Sequence, residues 1–296
     1  DWGIDEAGIV AAAYGMGVRG LIVIAEIQYH DYCIYGMPAV TDLIADLRQR
    51  TAGGQRIVVG IRTQGGGLQG RWHAGFPIGD ALKPGLLVAA PRNAAQSAGL
   101  YRSALNGNDP FFIVDPLKKM KRPEDIPDNL DQISIPWGHS EILREGKDFT
   151  VVTYGVTCDE ALLAAEILQT KYGISIEIVD LQSVAPLDIN DVAKQSIAKN
   201  DRVLVVDEDY PNATSSIILH QLLEGRATPN GPQCKLLVDN FGTLTSQGHK
   251  PGYSPDGHDL SKPKARNIVR KILDMLDDVD GGVLGPDGRR IPRSPF

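Results

Sequence analysis

The 296-residue sequence is poor in cysteine and aromatic residues, lacks long apolar runs and carries no excess of basic residues. Its three cysteines, Cys33, Cys158 and Cys234, are odd in number and far apart, which excludes a disulfide framework and a C-x-x-C metal knuckle. The longest apolar runs, such as residues 21–25, are too short to cross a bilayer. The 30 basic and 37 acidic residues give a formal net charge of −7, which argues against a nucleic-acid-binding protein.

The remaining composition is that of a globular α/β protein. Hydrophobic residues make up 42% and charged residues 23%, so the chain is not disordered, and its length suits two domains. Several short runs are continuously apolar and rich in β-branched residues, as is typical of strands covered on both faces. These candidate strands occupy residues 21–26, 56–61, 86–89, 111–115, 149–154, 175–180, 202–207 and 235–239.

Helical patterns alternate with the candidate strands. Apolar residues at i, i+3, i+4 and i+7 predict helices over residues 40–47 and 161–168, and a closing helix that begins after Pro263. This alternation predicts an α/β fold with two consecutive parallel-sheet domains and helices on both faces of each sheet.

One charged stretch interrupts the alternation. Residues 118–136 contain three prolines and no sustained period, which is typical of a linker between domains. We therefore expect a first domain over residues 1–120, a linker over 121–136, a second domain over 137–279 and a tail over 280–296.

A glycine motif near the beginning of the chain invites a nucleotide-binding interpretation. Residues 15–20 read G-x-G-x-x-G, but a dinucleotide-binding motif follows a strand and opens a helix. Here a helical stretch over residues 6–14 precedes the motif and a candidate strand follows it. We therefore interpret the glycines as the end of a helix that leads into a strand.

Two other polar segments allow more than one interpretation. In the segment 249–259, Asp256, His258 and Asp259 could bind a metal ion, although a turn-rich surface loop fits the sequence better. The acidic run 207–209 follows a candidate strand, and we interpret it as a solvated strand end, with contact to a partner as the alternative.

Polar and aromatic residues gather where elements of the first domain begin or end. Glu6 opens an apolar helical stretch, a position that the helix dipole alone would also favour. Residues 26–35 read EIQYHDYCIY directly after a candidate strand, and residues 71–73 read RWH after a glycine-rich loop. Because doubly wound sheets bind ligands at the carboxyl ends of their strands, we expect these segments to line one crevice.

Several motifs occur in a fixed order over most of residues 1–280. They are I-D-E-A-G at 4–8, A-E-I-Q-Y-x-D-Y at 25–32, W-H-x-G at 72–75, P-G-L-L-V-A-A-P-R-N at 84–93, V-T-Y-G at 152–155 and V-D-L-Q-S-V-A-P-L-D at 179–188. Together they resemble the β half of the thiamine-diphosphate-dependent decarboxylating component of 2-oxo acid dehydrogenase complexes, in the transketolase-like superfamily. Residues 249–263 are similar to bacterial forms in which the α and β halves are fused. The resemblance implies a pyrimidine-binding domain followed by a transketolase C-terminal domain.

The resemblance also implies roles for individual residues. Glu6 matches the glutamate that hydrogen-bonds the aminopyrimidine ring of thiamine diphosphate, and Tyr32 matches the aromatic residue packed on that ring. Gln28 and Ile4 fall at further cofactor-contact positions. His73 matches the active-site histidine near the bound 2-oxo acid, where it stabilises charge or assists acyl transfer to a lipoyl arm.

The same family pattern implies partners. The sequence contains no G-D-G motif with a following asparagine, by which the α half holds Mg²⁺ and the diphosphate. We therefore expect an α half (separate or fused), a second β half and a lipoyl-bearing acyltransferase core, all in a bacterial cytoplasm.

The sequence also begins five residues before Glu6, whereas family β halves start with a further helix and strand, so we expect a processed piece or a fragment that is inactive alone. The expected substrate is a branched-chain 2-oxo acid or pyruvate. The alternatives are a transketolase-like or deoxyxylulose-phosphate-synthase-like half and a non-catalytic scaffold half.

Overall fold

The computed structural model describes residues 3–66, 75–120, 123–224, 240–250, 252 and 254–280. The strands are β1 (Val23–Ile27), β2 (Val59–Gly65), β3 (Leu87–Ala89), β4 (Phe111–Pro116), β5 (Glu141–Arg144), β6 (Phe149–Thr153), β7 (Ile176–Asp180), β8 (Ser183–Ala185), β9 (Val203–Val206) and β10 (Phe241–Leu244). The α-helices are α1 (Glu6–Val18), α2 (Met37–Ala39), α3 (Leu47–Arg50), α4 (Ala94–Leu105), α5 (Thr157–Tyr172), α6 (Val192–Asn200), α7 (Thr214–Glu224), α8 (Pro255–Ser261) and α9 (Ala265–Asp280). Two 3-10 turns cover His30–Tyr35 and Ile78–Ala81, and a π turn covers Val40–Ile44.

The strands form two sheets of mostly parallel strands. The first sheet has the order β1-β2-β4-β3-β8, and the second has the order β10-β9-β6-β7-β5. Every neighbouring pair is parallel except β3 with β8 and β5 with β7. The predicted α/β fold class is confirmed, and each sheet also carries one antiparallel edge strand, β8 or β5, that is absent from the predicted strands. β8 has only three residues and half of β5 is charged, so neither gives a clear apolar run.

Most predicted elements are present. Each predicted strand from residue 21 to residue 207 overlaps an observed one, whereas the strand predicted over 235–239 lies outside the described residues. The predicted helix over 40–47 is divided into a π turn flanked by α2 and α3. Residues 255–261 form α8, whose first turn is capped by Ser254, so the prediction of a turn-rich loop is wrong for this part of the segment 249–259. In the described part of the chain, no helix is both long and apolar enough to span a bilayer.

The glycine motif ends a helix, as predicted. α1 ends at Val18, Gly20 has a positive φ of 87°, and β1 begins three residues later. Gly17 packs against β2, where a Cβ atom would lie only 2.4 Å from Val59 Cγ2. The glycine therefore lets the helix approach the sheet, and no ligand is needed to explain it.

One apolar core continues across both sheets. Its members include Val59 and Phe112, which belong to strands of the first sheet, and Val152 and Val205, which belong to strands of the second. A separate apolar cluster fills the space between the second sheet, α5 and α9. The two sheets are therefore packed into one continuous structure, and β8 joins them directly because it pairs with β3 although it follows β7 in the chain.

Candidate active site

Glu6 lies in the first turn of α1 and is half-buried. Asp5 caps this helix, because its Oδ1 accepts a hydrogen bond of 2.9 Å from the Gly8 backbone N–H. The turn packs against Gly36, where a Cβ atom would lie 3.1 Å from the Glu6 carbonyl oxygen and 2.8 Å from Val10 Cγ2. A glycine at position 36 thus allows α1 to approach the chain that follows β1.

The 3-10 turn His30–Tyr35 follows β1 at its carboxyl end. Tyr32 is half-buried in this turn, and its ring centroid lies 6.3 Å from that of Tyr29 and 6.5 Å from that of Tyr35. Tyr35 itself is 64% exposed. The turn therefore presents an aromatic surface at the sheet edge where parallel α/β folds bind ligands.

Glu6 and this turn are close enough to interact electrostatically. Burial raises the pKa of the Cys33 thiol to about 12, and the Glu6 carboxylate contributes to that rise. Gly36, which ends this turn, packs on the backbone of Glu6, so the structure brings the first turn of α1 next to the turn that carries Tyr32. The roles of the two side chains stay predictions.

The other predicted site residues are Gln28, Ile4 and His73. Gln28 is exposed and lines an apolar groove of about 540 Å³ between α1 and β1, together with Ile9 and Met16. Ile4 is fully exposed just before α1. His73, with its neighbours Arg71 and Trp72, lies outside the described residues.

Gly66 and Gly75, which flank the segment 67–74, contact each other beside the turn His30–Tyr35. The Gly66 N–H donates to the Gly75 carbonyl oxygen at 3.4 Å, and the Gly75 N–H donates to Asp31 Oδ2 at 3.2 Å. Lys250 forms an ion pair with Asp31 at 3.6 Å. Asp31 was not among the predicted site residues, although its position in E-I-Q-Y-x-D-Y, next to Tyr32, was a signal visible in the sequence.

The acidic run after β9 is buried, so the prediction of a solvated strand end is wrong. Asp207, Glu208 and Asp209 are 0%, 6% and 2% exposed. Asp209 Oδ2 accepts hydrogen bonds from the Gly79 N–H at 3.0 Å and from the Thr214 hydroxyl at 2.6 Å. The Gly79 contact joins the carboxyl end of β9 to the region of the first sheet, and the Thr214 contact joins it to the first residue of α7, so the Asp209 carboxylate is buried with both partners in place.

Each of the other two acids in this run has its own partner. The Tyr154 hydroxyl donates to Asp207 Oδ2 at 3.4 Å, and Lys262 forms an ion pair with Glu208 at 3.4 Å. Burial, with a smaller contribution from Asp209, raises the pKa of Asp207 to about 8. Asp207 is therefore largely protonated at neutral pH.

A second polar network crosses the first sheet. Arg62 forms ion pairs with Glu26 and, at 2.9 Å, with Asp115. Asp115 also accepts hydrogen bonds from the hydroxyl groups of Ser97 and Tyr101. Glu26 is thus held by a structural ion pair, although the polar segment that it opens carries the candidate site.

Two family models match the chain. They are described as transketolase, pyrimidine binding domain, over residues 1–121, and transketolase, C-terminal domain, over residues 138–238. A solved structure described as split gene transketolase, inactive beta4 tetramer, covers 93% of this chain and 82% of its own, with a TM-score of 0.72 and 21% identity. The low identity limits this last similarity to the fold.

Curated relatives are similar over about seven-tenths of the chain. The pyruvate dehydrogenase E1 component subunit beta of Bacillus subtilis (strain 168) is 34% identical over 217 residues, which are 72% of this chain and 66% of that protein. The mitochondrial 2-oxoisovalerate dehydrogenase subunit beta of Chaetomium thermophilum is 33% identical over 219 residues, 71% of this chain and 45% of that protein. The chain thus spans less than two thirds of these relatives. The family models and the two relatives show that it belongs to the transketolase-like family that includes these dehydrogenase β subunits.

Proposed function

We propose that the chain is the β half of the decarboxylating component of a 2-oxo acid dehydrogenase, active only with an α half. It would oxidatively decarboxylate a branched-chain 2-oxo acid or pyruvate and transfer the acyl group to lipoamide. The observation that carries the proposal is the packing of the Glu6 turn of α1 against the Tyr32 turn after β1. The names of the two curated relatives support the same reaction.

These residues fit one side of thiamine diphosphate. Glu6 supplies a half-buried carboxylate, and Tyr32 supplies a half-buried ring beside an exposed neighbour, Tyr35. A carboxylate acceptor next to an aromatic face suits an aminopyrimidine, which has hydrogen-bonding edges and a flat ring. The missing G-D-G motif fits an arrangement in which the α half holds Mg²⁺ and the diphosphate.

Each residue has a distinct task in this proposal. Thiamine diphosphate, when bound, supplies the carbon nucleophile and the electron sink for loss of CO₂. The Glu6 carboxylate would form a hydrogen bond with the aminopyrimidine ring nitrogen, Tyr32 would pack on the ring, and Gln28 and Ile4 would be further cofactor contacts. His73 stabilises charge on the 2-oxo acid or assists acyl transfer to the lipoyl group.

The test is reconstitution of the full chain with an α half, Mg²⁺, thiamine diphosphate and lipoylated acyltransferase. We expect Glu6→Gln to lower acyl transfer by about 100-fold or more, because the proton acceptor is lost, while the assembly stays intact. Glu145→Gln is the matched control, since the Glu145 side chain is 79% exposed and lies just after β5. Full activity of Glu6→Gln would contradict the proposal. Comparing pyruvate with branched-chain 2-oxo acids identifies the substrate.

A second measurement addresses the partners. We propose an α half, a second β half and a lipoyl-bearing acyltransferase core in a bacterial cytoplasm, and we keep the domain bounds 1–120 and 137–279. The isolated chain should bind thiamine diphosphate with Mg²⁺ poorly by calorimetry and bind it tightly once the α half is added. Tight binding by the isolated chain would argue against a shared site.

A further inference from the structure

A cavity of about 560 Å³ lies between the turn His30–Tyr35, the second 3-10 turn and the beginning of α7. None of Ile4, Glu6, Gln28 and Tyr32 lines it. Its wall combines the carboxylates of three aspartates with apolar and aromatic side chains, and the proposed function leaves it without a role. A site at this cavity would therefore be additional to the proposed function.

The cavity carries an excess of negative charge. Asp31, Asp80 and Asp209 line it, and Lys250 is paired with Asp31 at 3.6 Å. The Asp31 side chain is 7% exposed and Asp209 is 2% exposed, so water screens these two carboxylates poorly. Burial, followed by repulsion from Asp209, raises the pKa of Asp80. A positive charge placed in the cavity would relieve this repulsion.

His30 adds an independent sign of a ligand. Its side chain lines the same cavity and is 3% exposed. Nε2 lies 3.2 Å from the Pro77 carbonyl oxygen, which can only accept, so this nitrogen carries the proton. Burial lowers the pKa of His30 to about 4, so the ring is neutral at pH 7 and Nδ1 is an acceptor. Among the described residues, Nδ1 has no hydrogen-bond partner.

A buried acceptor without a donor is destabilising, and here it shares a cavity with three carboxylates. We propose that the cavity binds a small organic cation, an alkylammonium or guanidinium compound. Its N–H groups donate to His30 Nδ1 and to the Asp80 carboxylate, and its aliphatic part packs on Tyr35 and Tyr210.

An extended cation fits better than a metal ion. Within the described ranges, no group of three or more His, Cys, Asp and Glu side chains is arranged to hold a metal ion. The acceptors are instead spread along a cavity that also has apolar walls. A ligand with separated N–H donors and an aliphatic chain matches both features.

Agmatine, which has an ammonium and a guanidinium group on a four-carbon chain, is the probe, titrated into the full chain by calorimetry. We expect one site per chain, no binding of 1-pentanol, and an affinity lowered by about tenfold or more in Asp80→Asn. Asp46→Asn is the control, because Asp46 is an exposed acid paired with Arg50 away from the cavity. Absence of agmatine binding, or equal binding by both variants, would overturn the proposal.

A measurement on the unaltered protein covers the case in which Asp80→Asn does not fold. In histidine-selective ¹⁵N NMR, the His30 Nδ1 resonance should shift when agmatine donates a hydrogen bond to it. Saturation with agmatine without any change at this nitrogen would overturn the site, whether or not the proposed dehydrogenase activity is found.

Discussion

Arg92, three residues after the end of β3, forms an ion pair of 3.1 Å with Asp180, the last residue of β7. Asp180 is fully buried and also accepts a hydrogen bond of 2.9 Å from Gln96 Nε2. Arg92 reaches Glu141 at 3.0 Å as well. The Arg92 guanidinium therefore joins two acids of the second sheet, Glu141 in β5 and Asp180 in β7, to the segment that follows β3 of the first sheet.

Arg92→Ala should lower the free energy of unfolding by about 3 kcal/mol, because it leaves the buried Asp180 carboxylate without its cation. Urea denaturation measures the change. Arg50→Ala removes an exposed i,i+4 pair with Asp46 and should cost less than about 0.5 kcal/mol. Equal losses in the two variants would show that the Arg92 pair is no stronger than a surface pair.

Asp207 should make stability depend on pH. Its folded-state pKa of about 8 lies above the unfolded value of about 3.9, so its contribution is full below pH 4 and is lost as the pH rises towards 8. Asp207→Asn, which stays neutral, should gain stability relative to the unaltered protein between about pH 5 and pH 9. Urea midpoints across this range, with Asp46→Asn as control, measure the difference. A difference that does not change with pH would contradict the raised pKa.

The two glycines at 15 and 17 should respond oppositely to alanine. A Cβ atom at Gly15 meets nothing within 4 Å, so Gly15→Ala should stabilise α1 by about 0.5–1 kcal/mol. At Gly17 the new methyl group would press on Val59, so Gly17→Ala should destabilise by about 1–3 kcal/mol. Thermal unfolding of both variants measures these effects. If the two changes had the same sign, the close packing of α1 on β2 would be in doubt.

The cap of α1 should matter for function beyond its contribution to stability. Asp5→Ala and Asn93→Ala each remove an N-cap hydrogen bond, to Gly8 and to Gln96 respectively, and each should cost about 1 kcal/mol. If Glu6 binds the cofactor, only Asp5→Ala should also weaken thiamine diphosphate binding in the complex with the α half. Equal affinities in the two variants would separate the Glu6 turn from the cofactor site.

Local sequence patterns predicted the elements well because the central strands are apolar runs covered on both faces. The runs around Val59, Phe111, Val151 and Val205 all became buried strands. The glycine motif at 15–20 was interpreted correctly because its order relative to helix and strand is visible in the sequence.

Tertiary partners decided what the sequence could not predict. Three consecutive acids after a strand are typical of a solvated end, yet Asp209 is buried. Its carboxylate accepts hydrogen bonds from Thr214, five residues along the chain, and from Gly79, 130 residues away, and the distant donor is not visible in a local pattern. The Arg92–Asp180 pair likewise joins two motifs that are 88 residues apart. At the candidate site, the turn that carries Tyr32 follows the carboxyl end of β1, as the strand-end rule predicts. The contact of Glu6 with that turn depends on the packing of α1 against Gly36, and the placement of His73 stays a prediction.

The position of β8 also limits the order in which the chain can be completed during synthesis. One neighbour of β3 in the sheet is β4, which is translated soon after it. The other neighbour is β8, residues 183–185, which is translated nearly a hundred residues later. While the ribosome is still producing the second sheet, the nascent first sheet has an open edge along β3. Closure of that edge therefore coincides with the emergence of the segment that follows β7.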